Sequence, residues 1–511
     1  MEETYAIELK NVTKRFADVT ANDNVNLSVR KGEILSVLGE NGSGKTTLMN
    51  MIAGIYYPDS GTIWVEGKEV SIRSPKDAYH LGIGMIHQHF KLIPIFTAAE
   101  NIILGLPGKN RLNLKEVEQE IKFLADQYGF IIDPSKKIYD MSISEKQTVE
   151  IIKVLYRGAN LLILDEPTAV LTPQETNALF GVLRNMKEAG KSIIIITHKL
   201  QEVLEISDRV SVLRKGKYVG TVETGQATIK SLAEMMVGEK VEFNIKRDEP
   251  KEPEKRLELR GVSCRNKEGC YLLENISFTA YAGEILGIAG ISGSGQKELL
   301  ECIAGLKEME HGEIFFFSEQ GEIKKISDMN PEEIKSLGIT LSFVPEDRLG
   351  MGLVASMDLT DNMMIRSYKE GGHIFANRKK PKKLAEQVVD ELEVVTPGID
   401  MPVSMLSGGN VQKLLVGREI ALEPSVLMAA YPVRGLDIHS SYTIYNLLNS
   451  QKIAGVCVLC VGEDLDVLLE LCDRILVLSH NKVADIVDAR TATKEQLGIL
   501  MTGGKKEEMS S

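Results

Sequence analysis

Short aliphatic runs of strand length alternate with helix-compatible stretches along the chain. Ile34 to Leu38 is apolar and strand-like, and Thr46 to Ala53 suits a helix as far as Gly54, a residue able to sit just past a helix end. Leu161 to Leu164 and Ile193 to Thr197 read as further buried strands. Thr97-Ala-Ala-Glu100 has capping-box spacing, and Leu114, Val117, Ile121 and Leu124 make one apolar face of a helix that Gly129 stops. The longest aliphatic runs, such as Ile193 to Ile196, fall far short of the roughly 20 residues a membrane helix needs.

The pattern occurs twice. Gly32-Glu-Ile-Leu35 and Ile52-Ala-Gly54 recur as Gly283-Glu-Ile-Leu286 and Ile303-Ala-Gly305 at an offset of 251 residues; Pro167, Asp208-Arg209 and Met236 recur as Pro432, Asp473-Arg474 and Met501 at 265. An offset that steps once implies two homologous domains and one insertion, not the short units of a solenoid. The 511 residues accommodate two such domains with ample cores. Between them lies Glu239 to Leu257, in which Lys246 to Glu254 is charged and almost free of apolar residues, the composition of an exposed linker. The expected layout is a first domain over residues 1–242, a linker over 243–256, a second domain over 257–503 and a charged tail over 504–511.

The net charge of −12 and the isoelectric point near 5.4 argue against nucleic acid as the main partner. Met1-Glu2-Glu3 opens no signal peptide, so the expectation is a soluble protein facing the cytosol. Six cysteines without a regular framework fit a reducing compartment. Cys457 and Cys460 have redox-motif spacing, but within the apolar run Val456 to Val461 they point to opposite faces of a strand and read as buried structural residues.

The chemistry starts after the first strand. In Gly39-Glu40-Asn41-Gly42-Ser43-Gly44-Lys45-Thr46-Thr47, glycines let the backbone wrap a phosphate and turn N–H groups and a helix N-terminus toward it. Lys45 would reach the β and γ phosphates, and the Thr46 hydroxyl would complete a Mg²⁺ shell. The strand Leu161 to Leu164 ends in Asp165, suited to hold Mg²⁺ through water, and Glu166, suited to polarise an attacking water; two acids at an ordinary strand exit are the plain alternative. His198, after the third strand, could contact the γ-phosphate and hold the water and Glu166 in register, or be merely structural. Gln88 is a candidate sensor of Mg²⁺ and water; its neighbours His87 and His89 lack carboxylate or cysteine partners at zinc-ligand spacing. Phe16 could stack on adenine or fill a core.

These motifs, in this order, resemble the ATP-binding-cassette family over nearly the whole chain. Phe16 matches its adenine-stacking aromatic, Gly39 to Thr47 its Walker A, Gln88 its Q-loop, Asp165 and Glu166 its Walker B pair and His198 its switch histidine. Leu406-Ser407-Gly408-Gly409-Asn410 with Gln412 looks like its signature sequence. The tandem layout, with Val344-Pro-Glu-Asp-Arg348, is similar to importers of monosaccharides and nucleosides; Ile86-His-Gln-His-Phe90 and the run Leu164 to Gln174 look most like the guanosine-type nucleoside subgroup. The resemblance implies an α/β fold of two tandem ABC ATPase cassettes, each a P-loop core sheet with an antiparallel β portion and a helical subdomain.

In this family, the resemblance implies, two cassettes pair head to tail, each ATP lying between one Walker A and the opposite signature. Site one then combines Phe16, Lys45, Thr46, Gln88, Asp165, Glu166 and His198 with Ser407, Gly408 and Gly409, and every part is present. Site two has Gln296 for the lysine, Lys297 for the hydroxyl, Ala430 and Tyr431 for the Walker B acids, Glu463 for the histidine, and Asn266 or Lys267 where an aromatic belongs. Its signature, Met141-Ser142-Ile143-Ser144-Glu145, has lost both glycines. Both ends of one site are damaged and both ends of the other intact, as crossed pairing requires. Lys297 could still attract an anion, which leaves nucleotide binding at site two open. Asp437 matches the family's D-loop aspartate or is a simple turn acid.

The expected function is ATP hydrolysis with Mg²⁺ in an importer of nucleosides, or of a monosaccharide of ribose or galactose type, working through separate permease subunits on the cytoplasmic face of the membrane and indirectly with an extracytoplasmic solute-binding lipoprotein. Exposed positions near Phe90 to Phe96 are candidates for the permease contact, with core packing as the alternative. The basic cluster Arg378-Lys-Lys380, Lys382 and Lys383 could touch phospholipid headgroups or form a solvated helix start. The rival from another class, a soluble tandem ATPase acting on ribosomes or DNA, is disfavoured by the short linker and the acidic balance.

Overall fold

The computed structural model describes residues 4–17, 19–40, 42–87, 90–106, 113–169, 171–197, 199–238, 245, 247, 254–291, 293–343, 352–365, 377–406, 408–421, 423–433, 436, 438–462 and 464–504. The chain divides into two compact units, Met1–Glu242 and Phe243–Ser511.

In the first unit, a six-stranded sheet has the order Lys217–Glu223, Arg209–Arg214, Ile34–Leu38, Ser192–Ile196, Leu161–Asp165, Ile83–Ile86. The outer hairpin Arg209–Arg214/Lys217–Glu223 is antiparallel and the remaining pairs are parallel. Parallel strands covered on both faces carry continuous aliphatic runs, and the alternation within them sorts residues between two cores. Ile34, Leu162, Leu164, Ile193 and Ile195 pack toward the helices that include Leu114–Tyr128 and Ile143–Tyr156. Leu35, Val37, Ile163, Ile194 and Ile196 pack on the other side, against Lys45–Ile52 and a four-stranded antiparallel sheet of order Val19–Arg30, Tyr5–Phe16, Ser60–Val65, Lys68–Val70.

The second unit repeats this plan. Its six-stranded sheet runs Ile339–Phe343, Val426–Ala430, Cys457–Val461, Ile285–Gly290, Arg474–Ser479, Lys482–Asp488, beside a four-stranded sheet built on Lys255–Arg265. Cys457 and Cys460 are buried in different cores on opposite faces of one strand, and burial pushes both thiols up, Cys460 to about 12, so neither is a reactive thiolate. Within the charged stretch between the repeats, Ile245 is buried and the Arg247 guanidinium donates to the carbonyls of Leu469 (2.9 Å) and Cys472 (2.5 Å), so these two residues are fastened to the second unit.

The repeated Gly-Glu and Asp-Arg pairs have a structural job. Asp208 accepts from the Ile34 N–H at 2.9 Å and pairs with Lys187, while Arg209 pairs with Glu33; Asp473 likewise accepts from Ile285 N–H at 2.9 Å and pairs with Lys452, while Arg474 pairs with Glu284. Each set satisfies the first N–H of the central strand with a carboxylate and neutralises that carboxylate nearby. The strand that leads into the phosphate loop is therefore clamped at its start in both units.

The capping box predicted at Thr97 and Glu100 is present, and the helix Leu114–Tyr128 ends at Gly129 with φ 83°. The basic cluster lies on the helix Lys379–Glu391: its four lysines are exposed, while Arg378 pairs with Asp358 and Asp361.

Candidate functional site

The strand Ile34–Leu38 delivers the loop Gly39–Gly44 at its carboxyl end, and the helix begins at Lys45, one residue earlier than the apolar pattern suggests, because Gly44 is its N-cap in the left-handed region (φ 94°). A Cβ at Gly44 would lie 2.3 Å from the Ala21 carbonyl oxygen, so only glycine fits there. Gly42 has φ 81° and open space where a Cβ would point, leaving the loop's backbone approachable from that side. Asn22 Nδ2 donates to the Gly44 carbonyl (3.2 Å) and Gly216 N–H to the Ser43 carbonyl (3.2 Å), so neighbouring strands and turns hold the loop's shape.

Lys45 is buried, and its ammonium donates to the carbonyls of Gly39 (2.7 Å) and Glu40 (2.9 Å). Burial pulls its pKa down, against the opposing pull of Glu166, Asp165 and Glu40. Asp165 closes the strand Leu161–Asp165; burial and then the neighbouring Glu166 push its carboxyl up to about 6, with Lys45 partly offsetting them. The structure thus brings Lys45, Asp165 and Glu166 within electrostatic reach of one another. Glu166 has φ 48°, and its N–H donates to the Ile196 carbonyl at 2.8 Å.

These residues fit a nucleotide triphosphate and a divalent cation. The Ser43 hydroxyl is buried without a hydrogen-bond partner among the described residues, and Thr46 and Thr47 stand in the first helical turn with Thr46 exposed. Burial and the Glu166 charge, which together raise Asp165, are both offset when a cation binds beside it. Phe16 ends the strand Tyr5–Phe16, 41% exposed, its ring edge-on to Tyr56 with centroids 5.1 Å apart. Gly408 and Gly409 open the helix Gly408–Ile420 of the second unit. Asn41, Gln88, His89, His198, Ser407, Asp437, Glu463 and the Val344 to Arg348 run lie outside the described residues.

The second unit keeps the loop's backbone with different side chains. Gly295 is again a left-handed N-cap (φ 100°) and Gly293 again has φ 88° with open space beside it, but buried Gln296 turns its amide back to the Ile291 carbonyl (3.1 Å). Lys297 pairs with Glu301 at 3.5 Å, and Ala430 is buried without a carboxylate. In the first unit, Ser142 and Glu145 form a capping box: the Glu145 carboxylate accepts from Ser142 N–H at 2.7 Å and pairs with Lys136. A side-chain anion therefore already sits at that helix N-terminus.

Sequence reading missed two supports. Gln147 Nε2 donates to the Pro167 carbonyl at 2.7 Å, tying the helix Ile143–Tyr156 to the turn after Glu166; Gln412 does the same to Pro432, and the repeat offset of that glutamine was the available signal. Tyr56 is the other, and only the structure puts its ring beside Phe16.

Two units, each with a glycine loop between a parallel strand and a helix and each with a helical subdomain, define a pair of nucleotide-binding cassettes, with acids at the end of another strand of the sheet in the first. The family model for the ABC transporter matches residues 22–169 and 273–432, more than half of the chain. The chain belongs to that family and is an ATPase of it. It is similar to a nucleoside import ATP-binding protein of Lactococcus lactis subsp. cremoris, 41% identical over 98% of this chain and 99% of the relative. A guanosine import ATP-binding protein of Bacillus subtilis is 41% identical over 99% of this chain and 98% of its own length. A glucose import ATP-binding protein of Haloferax volcanii is 40% identical over 98% of this chain and 96% of its own length.

Proposed function

We propose that the chain is the ATP-hydrolysing subunit of an importer that takes up nucleosides through separate permease subunits at the cytoplasmic face of the membrane. What carries this reading is the intact cluster Lys45, Asp165 and Glu166 in one unit, with its side chains replaced by Gln296, Ala430 and Tyr431 in the other, in a chain 41% identical to nucleoside and guanosine import proteins. The first cassette covers residues 1–242 and the second 257–503, joined by 243–256 and followed by a tail over 504–511.

The two cassettes pair head to tail. ATP binds against Gly39, Glu40, Asn41, Gly42, Ser43, Gly44, Lys45, Thr46 and Thr47, its adenine against Phe16, and Ser407, Gly408 and Gly409 of the second cassette close over the γ-phosphate. Glycine at the signature allows backbone N–H groups to approach where a Cβ would intrude. Glu166 polarises the attacking water, with Gln88 and His198 keeping it in register. Mg²⁺ would be held by Thr46, Asp165 and Gln88, and when bound it neutralises charge on the phosphates. Binding closes the cassettes and hydrolysis releases them.

The permease contact falls on matching surfaces of the two units. In the first, Ile93 and Thr97 are fastened to Asn101 (2.8–3.1 Å), leaving Ile95 68% exposed near the exposed Tyr139, whose N–H binds the Pro94 carbonyl. In the second, Val354 is fastened to Asn362 in the same way, with Met357 and Met405 exposed. A solute-binding lipoprotein outside the membrane would deliver the solute.

A monosaccharide is the second reading, favoured by the 40% identity to a glucose import protein. Co-purification with the permease, reconstitution into vesicles and measurement of solute-stimulated ATP hydrolysis separates the two. Guanosine stimulation is expected; stimulation by ribose or glucose alone would favour the second reading, and stimulation by none would contradict both.

A further inference from the structure

We infer that Tyr56 is a positioning residue for the base: it fixes the Phe16 ring at a set distance from the phosphate loop, and so contributes to the preference for a purine nucleotide over a bare triphosphate. The inference rests on the proposal that Phe16 carries adenine.

Tyr56 follows the helix that starts at Lys45, and the chain turns back on that helix through Ile55 N–H and Tyr56 N–H, both donating to the Asn50 carbonyl (2.8 and 3.1 Å). Three residues on, Asp59 fastens the segment to the Phe16 strand. Its N–H donates to the Thr13 carbonyl (2.9 Å), and its carboxylate accepts from the Lys14 ammonium (2.8 Å) and the Arg15 N–H (2.6 Å). Tyr56 is thereby brought edge-on to Phe16, centroids 5.1 Å apart with an interplanar angle of 72°, an arrangement that favours one ring orientation. Lys14 Nζ also lies 5.5 Å from the Phe16 centroid. This short segment links the phosphate helix to the aromatic strand, beside the Asn22 bond to the Gly44 carbonyl from the neighbouring strand.

The second unit separates what the fold needs from what the site needs. There Leu306 N–H and Lys307 N–H donate to the Glu301 carbonyl (2.8 and 3.2 Å), Glu310 N–H to the Ser263 carbonyl (2.8 Å), and Glu310 pairs with Arg265 at 2.8 Å. The backbone-to-backbone bonds and an ion pair recur; a counterpart of the Arg15 N–H bond to the Asp59 carboxylate is not found among the described residues. The rings are replaced: Lys307 stands at the Tyr56 offset, and Lys267 or Asn266 at that of Phe16. A ring pair required for folding would be expected in both units, yet it occurs in the unit with the complete phosphate loop.

The test measures binding of Mg-ATP and of inorganic tripolyphosphate to the full chain carrying Glu166→Gln, alone and with Tyr56→Ala, Tyr56→Phe or Phe16→Ala. Tyr56→Ala is expected to weaken ATP roughly two- to tenfold while leaving tripolyphosphate unchanged, with Tyr56→Phe close to the parent. Unchanged ATP affinity in Tyr56→Ala, equal weakening of both ligands, or a Tyr56→Phe as poor as Tyr56→Ala would overturn the inference. If Phe16→Ala leaves ATP affinity intact, the adenine contact itself fails; if Phe16→Ala weakens ATP and Tyr56→Ala does not, only the role of Tyr56 fails.

Discussion

The two phosphate loops of this chain have nearly the same backbone and opposite chemistry. Gly44 and Gly295 cap their helices at φ 94° and 100°, Gly42 and Gly293 turn at 81° and 88°, and Lys45 and Gln296 are both buried. Glu166 and Tyr431 share a left-handed φ (48° and 53°) and an N–H bond to the last residue of the next strand, Ile196 or Val461. Because the strained turn persists where no carboxylate remains, it belongs to the fold and not to catalysis. Backbone geometry is held by packing and hydrogen bonds that many side chains depend on, whereas the reactive groups can be exchanged one at a time. A second comparison runs the other way: the signature-position helix of the first unit is closed by its own Glu145, while the second unit offers Gly408 and Gly409 there.

The comparison can be broken most severely at Glu166. Glu166→Gln is expected to lower turnover by at least about 10²-fold with ATP binding retained, measured as phosphate release and as nucleotide affinity, whereas Tyr431→Phe should leave the rate within about twofold. Comparable losses in both would mean the halves share the chemistry. At the loops, Lys45→Ala should remove most ATPase activity and weaken ATP, while Lys297→Ala should change the rate little. A loss with Lys297→Ala approaching that of Lys45→Ala would make site two a working site.

The smallest expected effect concerns stability. The Asp165 carboxyl is raised to about 6 from 3.8, so the folded state binds this proton more tightly than the unfolded chain does. Stability therefore falls as pH rises from about 4 to about 6, and the penalty is fully present above that. Asp165→Asn should raise the melting temperature of the metal-free protein at pH 7.5 by about 2–5 °C, an effect of order 1–2 kcal/mol after allowance for the solvent reaching this site, and by little at pH 4. Equal stabilisation at both pH values would place the effect in packing instead.

Much of this was legible in the chain because the signals are local. The aliphatic run Ile34 to Leu38, the glycines before Lys45 and the acids after Leu164 each announce an element and its chemistry in a few residues, and the repeat offsets expose the second unit. What was hidden depends on residues distant in sequence. Nothing near Tyr56 announces that it meets a ring 40 positions earlier, and the Asp208 and Asp473 clamps look like mere repeat markers until Ile34 and Ile285 are seen to donate to them. The charged stretch around Arg247 reads as a linker because composition cannot reveal that its guanidinium reaches two carbonyls more than two hundred residues away.

Crossed pairing is the claim on which the proposed mechanism turns, and disulfide crosslinking tests it most directly. In ATP-loaded protein carrying Glu166→Gln, Asn41→Cys combined with Ser407→Cys is expected to crosslink rapidly under mild oxidation, and Asn41→Cys combined with Ser142→Cys is not. Efficient crosslinking of the second pair with none in the first would contradict the pairing.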